Sequence, residues 1–147
     1  MRKQFNKYIT FIVYLFPKRQ RFTMKIKNID HIVITTRNLK RCLEFYVGIL
    51  GMTDVELDGR HSLLFGDCKI NIHTRKGEFK PAALNPEYGS QDFCLIVDDV
   101  EKAEREITEK GYQIEEGIVE RHGAKGTMRS LYLRDADGNL VELSQYD

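Results

Sequence analysis

His31, His73, Asp92 and Glu142 are the residues whose types and setting could do chemistry. Two imidazoles and two carboxylates form the mixed nitrogen and oxygen donor set that takes up a divalent ion such as Zn, Ni, Mn or Fe(II). Each lies in a β-rich run, where adjacent side chains point to opposite faces. Ile32 and Ile34 then oppose His31, Ile70 and Ile72 oppose His73, Phe93, Leu95 and Val97 oppose Asp92, and Val141 and Leu143 oppose Glu142. The apolar sets pack against helices, which leaves the four polar groups on the other face. Curled into a trough, that face would bring them to one cation. Taken singly, a strand histidine is more often a hydrogen-bonded structural group, and a strand carboxylate is usually solvated. Correspondence adds weight: His31 and Asp92 open the first strands of two similar halves, and His73 and Glu142 lie in their last strands.

The elements that must hold these groups come in the same order twice. In the first half a β-rich run, Lys25 to Thr36, leads to Asn38, followed by Leu39, Cys42, Leu43, Tyr46, Ile49 and Leu50 at amphipathic helical spacing. Asn38 can cap that helix and Gly51 can end it. Strands at Asp54–Leu57 and Ser62–Phe65 join through the hairpin signal Asp58-Gly59, and Gly66-Asp67 turns the chain into Lys69–His73. In the second half, Asp92–Val97 is the β-rich run, and Asp98 or Asp99 caps a helix bearing Val100, Ala103 and Ile107. Glu101/Arg105 and Glu106/Lys110 are spaced as i,i+4 pairs on its wet side. Strands at Tyr112–Glu115, Thr127–Leu133 and Leu140–Ser144 complete the copy. His31 and Asp92 are 61 positions apart, as are Leu39 and Val100. Two copies at that period make a pair of modules, not a solenoid. The expected fold is α+β: tandem β-α-β-β-β modules, about 25–75 and 90–146, forming a U-shaped mixed sheet.

Composition narrows the function classes. The chain has 147 residues, 41% hydrophobic and 31% charged, which suits one domain able to bury a core without disulfides. Cys42, Cys68 and Cys94 are odd in number, lack C-x-x-C spacing and sit among apolar residues, so reduced, buried thiols and a cytoplasmic location are expected. Residues 1–23 hold 6 of the 23 basic residues and no acidic one, leaving 17 basic against 22 acidic from Met24 onward. A domain of that sign lacks the positive field that drives nucleic-acid binding. The apolar run Tyr8 to Phe16 has nine residues, too few for a membrane span, and no small-residue cleavage site follows it. Residues 1–23 are therefore taken as a basic, aromatic extension, with a weak interfacial anchor as the alternative, and 24–147 as the functional domain.

Three stretches make the sequence recognisable: Asp30-His31-Ile32-Val33-Ile34, Phe45-Tyr46-Val47-Gly48-Ile49-Leu50-Gly51-Met52, and Tyr132-Leu133-Arg134-Asp135-Ala136-Asp137-Gly138-Asn139-Leu140-Val141-Glu142-Leu143. Together they resemble the vicinal oxygen chelate superfamily, which includes glyoxalase I, fosfomycin- and bleomycin-resistance proteins, methylmalonyl-CoA epimerase and extradiol dioxygenases. The resemblance implies paired modules around a metal, commonly within a homodimer. It matches His31 to the usual first-strand histidine and Glu142 to the last-strand glutamate. His73 occupies a ligand position where glyoxalase I usually has glutamate, and Asp92 stands where the second module's histidine is expected, which makes Asp92 the weakest ligand candidate, with a supporting hydrogen bond to a ligand as its alternative role.

The implied activity is that of a metal-dependent glyoxalase-type lyase or isomerase, lactoylglutathione lyase-like, acting on a small substrate with adjacent oxygens. Glu142 is the expected base, shifting a proton between neighbouring carbons. The alternatives are a resistance-type module that binds a small molecule without chemistry, a fosfomycin-modifying enzyme, and an Fe(II) ring-cleaving dioxygenase built on His31, His73 and Glu142. Arg121 and Lys125, in an expected loop from Glu120 to Gly126, are candidates for contacting an anionic substrate, and Tyr132 for lining its cavity. His61, beside a hairpin turn, is expected at the surface.

Overall fold

Alternating apolar residues, two short helical stretches and glycine turns build two β-α-β-β-β modules in the computed structural model, which describes residues 24–147. The extension expected at 1–23 lies outside the described residues. The first module runs β1 (His31–Thr35), α1 (Leu39–Leu43), a π-helical segment (Glu44–Ile49), β2 (Thr53–Leu57), β3 (Arg60–Phe65) and β4 (Cys68–His73). The second runs β5 (Asp92–Ile96), α2 (Val100–Glu109), β6 (Ile114–Gly123), β7 (Gly126–Arg134) and β8 (Leu140–Tyr146). Each module makes its own four-stranded mixed sheet, in the order β1-β4-β3-β2 and β5-β8-β7-β6. In each, the first and last strands are parallel and the remaining pairs antiparallel. The expected α+β class and tandem modules are what the chain adopts.

Both helices start where capping chemistry places them. Asn38 accepts from the Arg41 N–H at 3.1 Å, and Asp99, of the two candidate aspartates, accepts from Lys102 at 2.7 Å. Three local expectations change. The first helix does not stay α-helical to Leu50: after Leu43 it widens, with Leu50 N–H bonding Phe45 C=O at 3.1 Å, and Phe45 and Tyr46 both end in the core. β6 is longer than Tyr112–Glu115, because pairing with β7 continues through Gly123 across register irregularities. The expected pairs on α2 are replaced: Glu101 bonds Arg129, and Lys110 bonds the Ile49 carbonyl at 2.8 Å. Arg129 sits on the helix-facing side of β7, in parity with Leu131, so it reaches Glu101 first.

The apolar faces of both sheets feed one core. Ile34, Leu63, Ile70 and Ile72 come from the first, Leu131, Leu133, Val141 and Leu143 from the second, and Cys42, Phe45, Tyr46, Val100 and Ile107 from the segments between. The turn between β7 and β8 rivets the modules. Asp135 Oδ1 accepts the N–H groups of Asp137, Gly138 and Asn139, each at 2.9 Å, while Oδ2 accepts Tyr46 O–H at 2.9 Å and Asn139 Nδ2 at 2.7 Å. Asp137 in turn accepts from Thr36 Oγ1 at 2.5 Å and Arg37 N–H at 3.0 Å. The segment between β4 and β5 passes tightly over this turn at Gly89, where φ is +65° and a side chain would strike the Asp137 carbonyl.

Candidate active site

Two sheets that send their apolar faces into a shared core must present their other faces away from it. His31, Lys69, Asn71 and His73 lie on the outer face of the first sheet, and Asp92, Cys94, Tyr132 and Glu142 on that of the second. Exposed apolar residues occur on the same faces: Val33, Val55, Leu57 and Leu64 on the first, Ile96 on the second. Water is a poor partner for such a surface, and it is the composition expected of one that is covered.

His31 has one ring nitrogen engaged and one free. Its Nδ1 is bonded to Asp30 Oδ1 at 2.7 Å, which leaves Nε2 as the free nitrogen. A carboxylate behind a histidine is the arrangement that orients metal-binding imidazoles. The same bond holds the Asp30 carboxyl below its ordinary range. On the second sheet, Glu142 Oε1 accepts from Ser144 Oγ at 3.1 Å. Tyr132 lies directly across the ladder from Glu142, and its phenolic oxygen accepts from Arg121 Nε at 3.0 Å. Burial and the Glu142 carboxylate push the Tyr132 phenol up against the opposing pull of Arg121, so the phenol keeps its proton. Arg121 also bonds Glu116 Oε2 at 3.0 Å.

A single chain does not bring the four predicted donors to one point. His31 and Asp92 stand on different sheets, and among the described residues no group of three or more His, Cys, Asp or Glu side chains could hold a metal ion. Ladder register explains the displacement of His73. His31 pairs with Lys69, and Asp92 with Leu140, so the position matching Glu142 in the first sheet is Asn71. His73 is two residues further along the strand, and its ring packs edge-on against Phe79 with centroids 5.0 Å apart. Asn71, which accepts from Ser62 Oγ at 2.9 Å, was missed because counting from strand ends cannot reveal register. The candidate donors therefore stand in two sets: His31 with Asp30 on the first sheet, and Asp92 and Glu142 on the outer face of the second.

Arg121 belongs to β6, not to a loop, and Lys125 sits at the β6–β7 hairpin tip, its ammonium 5.9 Å from the centre of the Tyr146 ring. His61 is half-buried and bonded to Asp54 at 3.0 Å, where a surface position was expected. Cys42 is buried as expected, but Cys68 is half-buried and Cys94 exposed, because Cys94 shares the outer face with Glu142; its thiol donates to Ser144 Oγ at 3.1 Å. Among the described residues no helix is long and apolar enough to cross a membrane.

Comparison with known proteins agrees with this architecture. The chain is 43% identical over 131 residues to a glyoxalase domain-containing protein, RDO1, of Mycosarcoma maydis, covering 88% of this chain and 74% of that one. It is 43% identical over 125 residues to virulence protein STM3117 of Salmonella typhimurium, covering 84% and 87% of the two chains. The crystal structure of that protein superposes with a TM-score of 0.81, over 84% of this chain and all of the other. A lactoylglutathione lyase from Agrobacterium tumefaciens, at 20% identity and a TM-score of 0.65 over 83% of this chain and 96% of its own, shares the fold. The family model for the Glyoxalase/Bleomycin resistance protein/Dioxygenase superfamily matches residues 28–143, and the chain belongs to that superfamily.

Proposed function

We propose that this protein is a homodimeric, metal-dependent lyase or isomerase of glyoxalase type, acting on a small substrate with adjacent oxygens. In the dimer, the outer face of the first sheet of one chain closes on the outer face of the second sheet of the other. His31 from one chain, with Asp92 and Glu142 from its partner, would then hold the divalent ion, and His73 would form part of the substrate wall. The observation that carries this is the Asp30–His31 bond, which orients a free imidazole nitrogen on a face that also bears unpartnered apolar residues.

When bound, the cation supplies Lewis acidity to the substrate's two oxygens. The chain's own residues handle the proton. Glu142 takes it from one carbon and returns it to the next, and Ser144 orients the carboxylate. Tyr132 keeps its proton beside Glu142, with Arg121 fixing the phenol. The homologous but catalytically silent alternative is a small-molecule binding protein. Metal analysis and hemithioacetal turnover decide between them: about one divalent ion per chain, with turnover lost by orders of magnitude in Glu142→Gln, supports the enzyme. Tight ligand binding without turnover supports the binding protein. Oxygen uptake on catechols with Fe(II) would instead identify a dioxygenase.

A further inference from the structure

A cavity of about 420 Å³ opens on the outer face of the first sheet, within the size range of small-molecule sites. Its walls are unusual for this chain. Val55, Leu57, Leu64 and Phe79 supply apolar surface, Arg60 and Lys69 supply charge, and none of the lining residues is an aspartate or glutamate. Acidic residues outnumber basic ones in the domain as a whole, so a lining free of carboxylates is selective for negative charge.

The cations stand at opposite ends. Arg60 and Lys69 are separated by the ladder from Arg60 to Leu64, which pairs with Lys69, a span of roughly 13 Å. Lys69 pairs with His31 and so belongs to the proposed reaction end. Arg60 lies at the far end with His73 and Phe79. Its guanidinium carbon is 4.1 Å from the centre of the Phe79 ring, against which His73 also packs. A guanidinium carbon held over a ring face leaves N–H groups that can bind carboxylate or phosphate in pairs of hydrogen bonds. Among the described residues Arg60 makes no ion pair.

We infer that Arg60, stacked on Phe79 beside His73, is a subsite for an anionic group carried on an apolar body. The substrate is then elongated, with a carboxylate or phosphate at the Arg60 end, well over a single bond length from the oxygens presented at the His31 end. This assignment rests on the outer face being the substrate-binding face, as proposed above, but its test needs neither metal nor turnover.

The full chain is titrated with phenylacetate, phenylacetamide and phenethylammonium while the ring resonances of Phe79 and His73 are followed by NMR. Phenylacetate is expected to shift both saturably, and the neutral amide and the cation to bind at least about tenfold more weakly. Arg60→Gln is expected to weaken phenylacetate by about tenfold with an unchanged melting temperature, since Arg60 is exposed. Should that variant unfold, the salt dependence of phenylacetate binding by the native chain serves instead: affinity falls as ionic strength rises. Equal binding of acid and amide, unaltered affinity in Arg60→Gln, salt-independent binding, or shifts confined to the second sheet would each overturn the assignment. Saturable phenylacetate binding at Phe79 by a protein that holds no metal and turns over no hemithioacetal would leave the subsite standing and remove the enzyme.

Discussion

Asn71 and Glu142 occupy the same register position in the two sheets, each opposite the third residue of its module's first strand, Val33 in one case and Cys94 in the other. Each accepts a hydrogen bond from a serine hydroxyl. The supports differ, since Ser62 stands across the ladder from Asn71 on β3 whereas Ser144 lies two residues along Glu142's own strand, and only the second sheet carries a carboxylate at this position.

If the site is shared between chains, mixing inactive variants restores it. His31→Ala and Glu142→Gln are each expected to lose turnover when pure. In a mixed dimer, one of the two sites combines an intact His31 from one chain with an intact Glu142 from the other. Random reassociation of equal amounts should recover about a quarter of native turnover, since half the dimers are mixed and half their sites intact. No recovery after verified subunit exchange would show that both residues must come from the same chain.

Asp30→Asn removes the acceptor's charge and keeps the size. With the imidazole less firmly oriented and less basic, metal affinity is expected to drop by about 10- to 100-fold, measured by competition with a chromophoric chelator. The fold should be unaffected, because Asp30 is exposed.

Tyr46→Phe removes one of the groups that rivet the modules. The phenol is buried and donates to Asp135 at 2.9 Å, so its loss should cost about 1–3 kcal/mol in denaturant unfolding. Asp135→Ala should cost more, since three backbone N–H groups and Asn139 lose their acceptor as well.

Stability should fall on the alkaline side. Burial, with Asp135 and Asp137 nearby, pushes the Cys42 thiol from 9.0 up to about 12. Between those values an unfolded chain has released the proton and the folded chain still holds it. The unfolded state then binds fewer protons, so unfolding becomes easier as pH rises through this window. Tyr46, raised by burial and by Asp135, acts in the same direction above its ordinary value of 10.0. Denaturant midpoints should decline as pH rises from 9.0 towards about 12, and less steeply in Cys42→Ala. Cys42, buried in the core, should also resist alkylation in the native state.

Alternation of apolar and polar residues, capping at Asn38 and Asp99, and the repeat spacing were enough to foresee two β-α-β-β-β modules and the faces on which His31 and Glu142 stand. These are local properties: each depends on neighbours a few positions away. Register was not local. The pairing of His31 with Lys69 decides whether Asn71 or His73 matches Glu142, and it is settled by packing of the whole sheet. The side of β7 that Arg129 occupies likewise took Glu101 away from its helical neighbour. The relation of the modules was decided only by tertiary structure, because Tyr46, Asp135, Thr36 and Asp137 meet across about a hundred residues of chain. Burying both apolar faces in one core turns both polar faces outward, which is why donors that alternate correctly along each strand do not converge within a single chain.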